Sequence, residues 1–188
     1  MVTSCISDFE KNLLKSLIGK RLNFFKSEAK DSWNRIFGNI SIVTDDKEIE
    51  IRNELTETEY FGDTEDVSKF KIKEISSAYP FVLMVESPVV ETKVDEVIEG
   101  ITIIQDNVNI KNSENESVYE ITFDSAIVIK TDKSTFAISR QWHLEEELSF
   151  VKTADYKSSV YSIENTIADW ADEDDKMSAT CNRSEYTL

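Results

Sequence analysis

The alternation of apolar and polar positions along this chain changes period several times, and each change marks an element. After Ser7, the residues Phe9, Leu13, Leu14, Leu17 and Ile18 recur at helical spacing. Ser7 with Glu10 three residues on is a capping box, and Gly19 ends the run. Period two follows: residues 21–26, 33–44 and 47–53 read as strands, the last two as a hairpin turned by Asp45-Asp46. The stretch 55–66, LTETEYFGDTED, collects acids and reads as a loop. Strand character returns at 67–75 and 80–85, where the leading Pro80 suits a strand start, and again over 97–110, before a turn at 112–116. The best hairpin in the chain spans 121–142, two β-rich runs about the turn Thr131-Asp132-Lys133-Ser134. Residues 144–152 suit helix or strand equally. Residues 158–171 read as a helix with Ile163, Ile167 and Trp170 on one stripe, and 172–188 as an acidic, disordered tail.

These elements predict an α+β fold, predominantly antiparallel sheet, with a helix near each terminus, forming one body over residues 1–188. The second hairpin slides back by 87 positions onto the first: Ile127, Ile129, Thr131, Asp132 and Ile138 fall on Ile40, Ile42, Thr44, Asp45 and Ile51. A shift of 81 sets Gly100 on Gly19, Ser149 on Ser68 and Lys152 on Lys71. Self-similarity of this kind marks repeated units, here two related β-units over 1–80 and 97–171 that pack together because neither buries its apolar face alone.

Charge adds more than composition does. The chain of 188 residues has an ordinary apolar share of 40% but a net charge of −16. Residues 1–60 carry 9 basic and 11 acidic side chains, 61–120 carry 5 and 13, and 121–188 carry 7 and 13, so the acidity sits in the last two thirds. Such a field repels nucleic acid and anionic membrane, and it speeds encounter with a basic protein. The longest unbroken apolar run, Phe81 to Val85, is far short of a membrane span, and Asp8 and Glu10 interrupt any secretory signal. A cytoplasmic protein with Cys5 and Cys181 as free thiols is the expectation.

Candidate chemistry is sparse. His143 is the sole histidine, followed closely by Glu145, Glu146 and Glu147; one histidine supplies neither a metal cluster nor a catalytic triad, so no catalytic residue, metal or cofactor is expected. The acidic run Asp172, Glu173, Asp174, Asp175 fails the calcium-loop pattern, because Met177 and Arg183 stand where Gly and Glu are required. Two acidic segments remain as partner-binding candidates: that run, and the stretch holding Tyr60 and Phe61 among Glu57, Glu59, Asp63, Glu65 and Asp66. There the rings either anchor a partner or turn inward as core plugs. Together these features suggest a non-enzymatic protein that binds and inhibits a basic protein partner. In type, the chain resembles the small acidic immunity proteins that bacteria keep against toxin domains, a resemblance of size and charge that covers no motif. A small-ligand-binding or accessory β-protein is the alternative, and an enzyme using His143 and the nearby glutamates comes third.

Overall fold

The computed structural model describes residues 1–171 and 176–188. It is mostly antiparallel sheet with two short helices. In chain order the elements are β1 (Val2–Ser4), α1 (Asp8–Lys15), β2 (Arg21–Ser27), β3 (Arg35–Phe37), β4 (Asn39–Thr44), β5 (Glu48–Tyr60) and β6 (Asp63–Glu74). These are followed by β7 (Val90–Lys111), β8 (Ser117–Thr131), β9 (Thr135–Arg140), β10 (Glu147–Lys152), α2 (Ile163–Ala171) and β11 (Ser178–Thr187).

The main path of the sheet runs β3-β10-β9-β8-β7-β2-β4-β5-β6. It contains two four-stranded meanders, β2-β4-β5-β6 and β7-β8-β9-β10, which meet where β2 pairs antiparallel with β7. Because only Gly38 separates β3 from β4, the path also closes. β3 pairs with β10, β4 pairs with β2 and β5, and the bend between them joins the β3 end of the path back to its interior. The curved wall encloses one core, in which Phe25 meets Phe136 and Phe150 at ring-centre distances of 5.0 and 4.8 Å. Leu14 and Leu17, at the end of α1, join that core. The capping box at Ser7 is present, Glu10 accepting from the Ser7 backbone and Ser7 Oγ accepting from Glu10 N.

A second core lies beyond the first. It is built by the far halves of β7 and β8 together with α2 and β11: Val108, Ile110, Tyr119, Ile121, Phe123, Trp170 and Ala179. One bulge lets the same pair of strands serve both cores. Ile104 pairs with Ala126 but Gln105 pairs with Asp124, so Ser125 is the extra residue on β8. The extra residue reverses which parity faces which side, sending Ile127 and Ile129 into the first core and Ile121 and Phe123 into the second.

Four expectations are corrected. Residues 55–66 are no loop: they are the distal halves of β5 and β6, where Thr56, Thr58 and Tyr60 alternate with Glu57 and Glu59 in a strand pattern whose one aliphatic residue is Leu55. Residues 80–85 form no strand; they cross β4 irregularly, Asn39 donating to the Val82 carbonyl (2.8 Å) and accepting from Met84 N (3.3 Å). The chain from 178 onward is not frayed, since β11 pairs with β7 over ten residues, Ser178 to Thr187. The second helix is therefore followed by a strand, and it begins at Ile163 rather than 158. The ambiguous stretch resolves as β10.

The β4–β5 and β8–β9 hairpins have the same turn. In each, the threonine N–H donates to the carbonyl three residues on, and the threonine hydroxyl binds both polar atoms of that residue's backbone: Thr44 with Lys47, and Thr131 with Ser134.

Gly38 has φ +75°, and a Cβ there would overlap the Met84 side chain. Gly38→Ala is expected to cost about 2–4 kcal/mol in chemical denaturation, from backbone strain plus overpacking. Gly62→Ala, at φ +92° with open space around it, is expected to cost only about 1–2 kcal/mol.

Candidate functional site

The distal half of the β5–β6 hairpin carries every acidic candidate of the segment 57–66. Its register sets Glu57 opposite Asp66, Thr58 opposite Glu65, Glu59 opposite Thr64 and Tyr60 opposite Asp63. Glu57, Glu59, Asp63, Glu65 and Asp66 are all exposed. Among the described residues none of the five is in an ion pair. At the base of the same hairpin two carboxylates are neutralised instead: Glu48 by Lys26 (3.0 Å), and Glu50 by Arg52 (3.1 Å) and Lys73 (2.9 Å). Ordinary surface chemistry thus governs the base, and five like charges are left on the tip.

Tyr60 and Phe61 face inward. The two-residue turn Phe61-Gly62 has positive φ at both positions, +52° and +92°, as a type I′ hairpin turn requires. Phenylalanine is an unusual residue to hold that conformation. Its ring stacks on Tyr119 at 4.3 Å, and Tyr60 lies 5.6 Å from Trp170, so packing against the second core offsets the backbone cost. The Tyr119 hydroxyl donates to the Glu59 carbonyl at 2.7 Å, a further tie between tip and body. These contacts hold the acidic tip in one place. Asp172, Glu173, Asp174 and Asp175 lie outside the described residues.

His143 and its glutamates part company. The imidazole is buried, stacked on Trp170 at 4.0 Å, and its Nε2 has no hydrogen-bond partner among the described residues. Beside it Arg140, also buried, donates to the Ser68 carbonyl and hydroxyl and lies over the Phe123 ring at 4.6 Å. Burial pushes His143 from its ordinary 6.5 down to about 3, and the Arg140 charge adds to the shift. Burial likewise lowers Arg140 to about 10, opposed by Asp124 and Asp106. The adjoining cavity, between Arg140, Trp142, His143 and α2, has a volume of about 20 Å³, room for a water molecule and not for an organic substrate.

Glu145, Glu146 and Glu147 face outward into a separate surface groove of about 300 Å³, whose apolar lining is Phe37, Leu55 and Leu144. Neither Leu144 nor Phe37 stands out in the sequence, because their neighbourhood is created by the Gly38 bend. Cys5 and Cys181 are free thiols, and burial pushes both above the ordinary thiol value, to about 11 and about 12. Among the described residues no group of His, Cys, Asp and Glu is placed to hold a metal ion, and no helix is long and apolar enough to cross a membrane. Compared with protein-family models, curated proteins and solved structures, the chain has no match.

His143 yields a pH test. Its folded pKa is below its unfolded value, so its contribution to stability is full above pH 6.5 and is lost as pH falls toward 3. Between pH 6.5 and 5, before most carboxylates titrate, the native chain should lose stability with a slope approaching about 1.4 kcal/mol per pH unit. Urea denaturation of His143→Gln over the same range should show a markedly flatter profile; an equal slope would place the dependence elsewhere.

Proposed function

We propose that this chain is a non-enzymatic acidic binding protein that covers a basic surface of a protein partner, in the manner of a cytoplasmic immunity protein neutralising a basic toxin domain. One observation carries the reading: a hairpin whose half-buried and buried base carboxylates Glu48 and Glu50 are paired ends in five exposed carboxylates that are in no ion pair among the described residues, held in position by Tyr60 and Phe61. Like charges set across from one another, as at Glu57 and Asp66, destabilise a free hairpin, and a cationic partner reverses the sign of that term. The chain's net charge of −16 would steer such a partner from a distance. The rings act in this reading as the inward clamp that positions the carboxylates, and Asp172–Asp175 extend the same charge along the chain.

The enzyme alternative depends on His143, and the burial and low pKa of that side chain count against its use as a base. The finer architectural reading, two related β-units, is supported by the matching Thr44 and Thr131 turns. Each turn joins the second and third strands of a four-stranded meander.

The test is capture from the native host across a salt series. Immobilised protein is expected to retain a basic protein at low salt and release it progressively as salt rises. The variant with Glu57→Gln, Glu59→Gln, Asp63→Asn, Glu65→Gln and Asp66→Asn should retain at least about tenfold less, while its thermal midpoint stays equal or rises. Retention unaffected by those changes would remove the tip from the account.

A further inference from the structure

Two acidic segments that lie far apart in the chain form one surface. On β5 the residues Leu55, Glu57 and Glu59 share a face by strand alternation, and the register adds Asp66 opposite Glu57 and Thr64 opposite Glu59. Leu55 is also part of the groove formed with Phe37 and Leu144, whose rim carries Glu145, Glu146 and Glu147. Of those three, Glu147 is paired with Arg35 at 2.7 Å, whereas Glu145 and Glu146 are in no ion pair among the described residues. The groove is thus a slot with an apolar floor and an anionic rim, opening onto a strand face that continues anionic toward the hairpin tip.

The backbone beside it is open as well. Asn53 N donates to the Gly38 carbonyl, so the odd-numbered residues of β5 direct their backbone polar groups toward the β4 side. The β4 pairing stops at Asn39 opposite Arg52. Beyond that point no strand among the described residues pairs with this edge of β5, and Leu55 and Glu57 lie on it, up to Glu59, whose carbonyl accepts from the Tyr119 hydroxyl. Beneath the rim, Asn53 is fully buried; its Nδ2 donates to the Glu145 carbonyl at 3.0 Å and its Oδ1 has no donor among the described residues.

We infer that this groove and the adjoining edge of β5 receive an extended segment of the basic partner, with one lysine or arginine side chain seated in the groove. The aliphatic stem of that residue lies on Phe37, Leu55 and Leu144, and its charged head lies among Glu145 and Glu146. Same-face residues of a strand repeat about every 7 Å, so cationic residues two and four places along the partner segment meet Glu57 with Asp66, then Glu59. Alternating cations on an extended backbone, rather than a helix or a flat basic patch, are what this surface selects. The inference rests on the proposed function and adds the mode of docking to it.

The probe is a short blocked peptide of alternating arginine and threonine, titrated into the full chain carrying labelled leucine methyl groups. Binding should shift the Leu55 and Leu144 methyl signals. The double variant Leu55→Ser, Leu144→Ser, which changes two partly exposed side chains, should weaken the peptide about tenfold with an unchanged fold by circular dichroism. Glu145→Gln with Glu146→Gln should weaken it by a comparable factor. Shifts confined to residues 57–66, with both leucines unmoved and the serine variant binding normally, would overturn the groove and leave the acidic tip standing. Absence of any shift with this peptide also overturns the groove, and the capture experiment with the tip variant then decides the broader reading by itself.

Discussion

Strand β7 has three pairing partners, and the arrangement of everything else depends on satisfying them together. It runs 22 residues, Val90 to Lys111, with β8 along one edge and, on the other edge, β2 against its first part and β11 against its second. A strand of that length, roughly 70 Å when extended, has too many backbone donors and acceptors for one small core to cover. The chain meets the demand with two cores on opposite faces and a bulge at Ser125 that moves β8 from one to the other. Without β11 on the far edge, the backbone from Thr102 to Lys111 would be an open template for another chain.

The hairpin tip inherits its position from this arrangement. Tyr119 and Trp170 belong to the second core, the one built on the far ends of β7 and β8 and on α2. Phe61 accepts a backbone conformation that costs of order 1–3 kcal/mol because the stacking on Tyr119 and the edge contact with Tyr60 require the turn to close there. The tip is therefore a property of the second core, even though it belongs by sequence to the first meander. The Gly38 bend does the corresponding work at the other end of the surface, bringing Phe37 beside Leu55 and fixing Glu146 through the Gly38 N–H at 3.0 Å.

Much of the fold was legible because it is written in short-range chemistry. The Ser7 cap, the Thr-Asp turns and the period-two runs of β4, β5 and β9 are local signals, and they predicted a sheet-dominated chain. What failed was long-range. The distal strands of the hairpin have threonine and glutamate where strands usually have isoleucine, since their inner face is met by only a few aromatic rings. β11, reading SATCNRSEYT, alternates small and polar residues because only Ala179 and parts of Cys181, Arg183 and Tyr186 are covered; the rest of its side chains face solvent. Residues 80–85 are apolar enough for a strand, yet they serve as a cover over β4. Glu57 to Asp66 were legible as an acidic segment, but the groove at Phe37, Leu55 and Leu144 was not, because its residues meet only through the bend at Gly38.

The acidic tip is an ordered, anchored ribbon and not a mobile acidic loop. The register and the outward direction of Ser68 N–H place the amides of Thr58 and Glu65 inward, bonded across the hairpin. Amide hydrogen exchange at these two positions, followed residue by residue in the free protein, tests the claim most directly. Protection well above that of the exposed turn at Asn112–Glu116 is expected, with loss of that protection when Trp170→Ala removes the surface on which the tip rests. Exchange of Thr58 and Glu65 at the rate of an unstructured peptide in the native chain would contradict it.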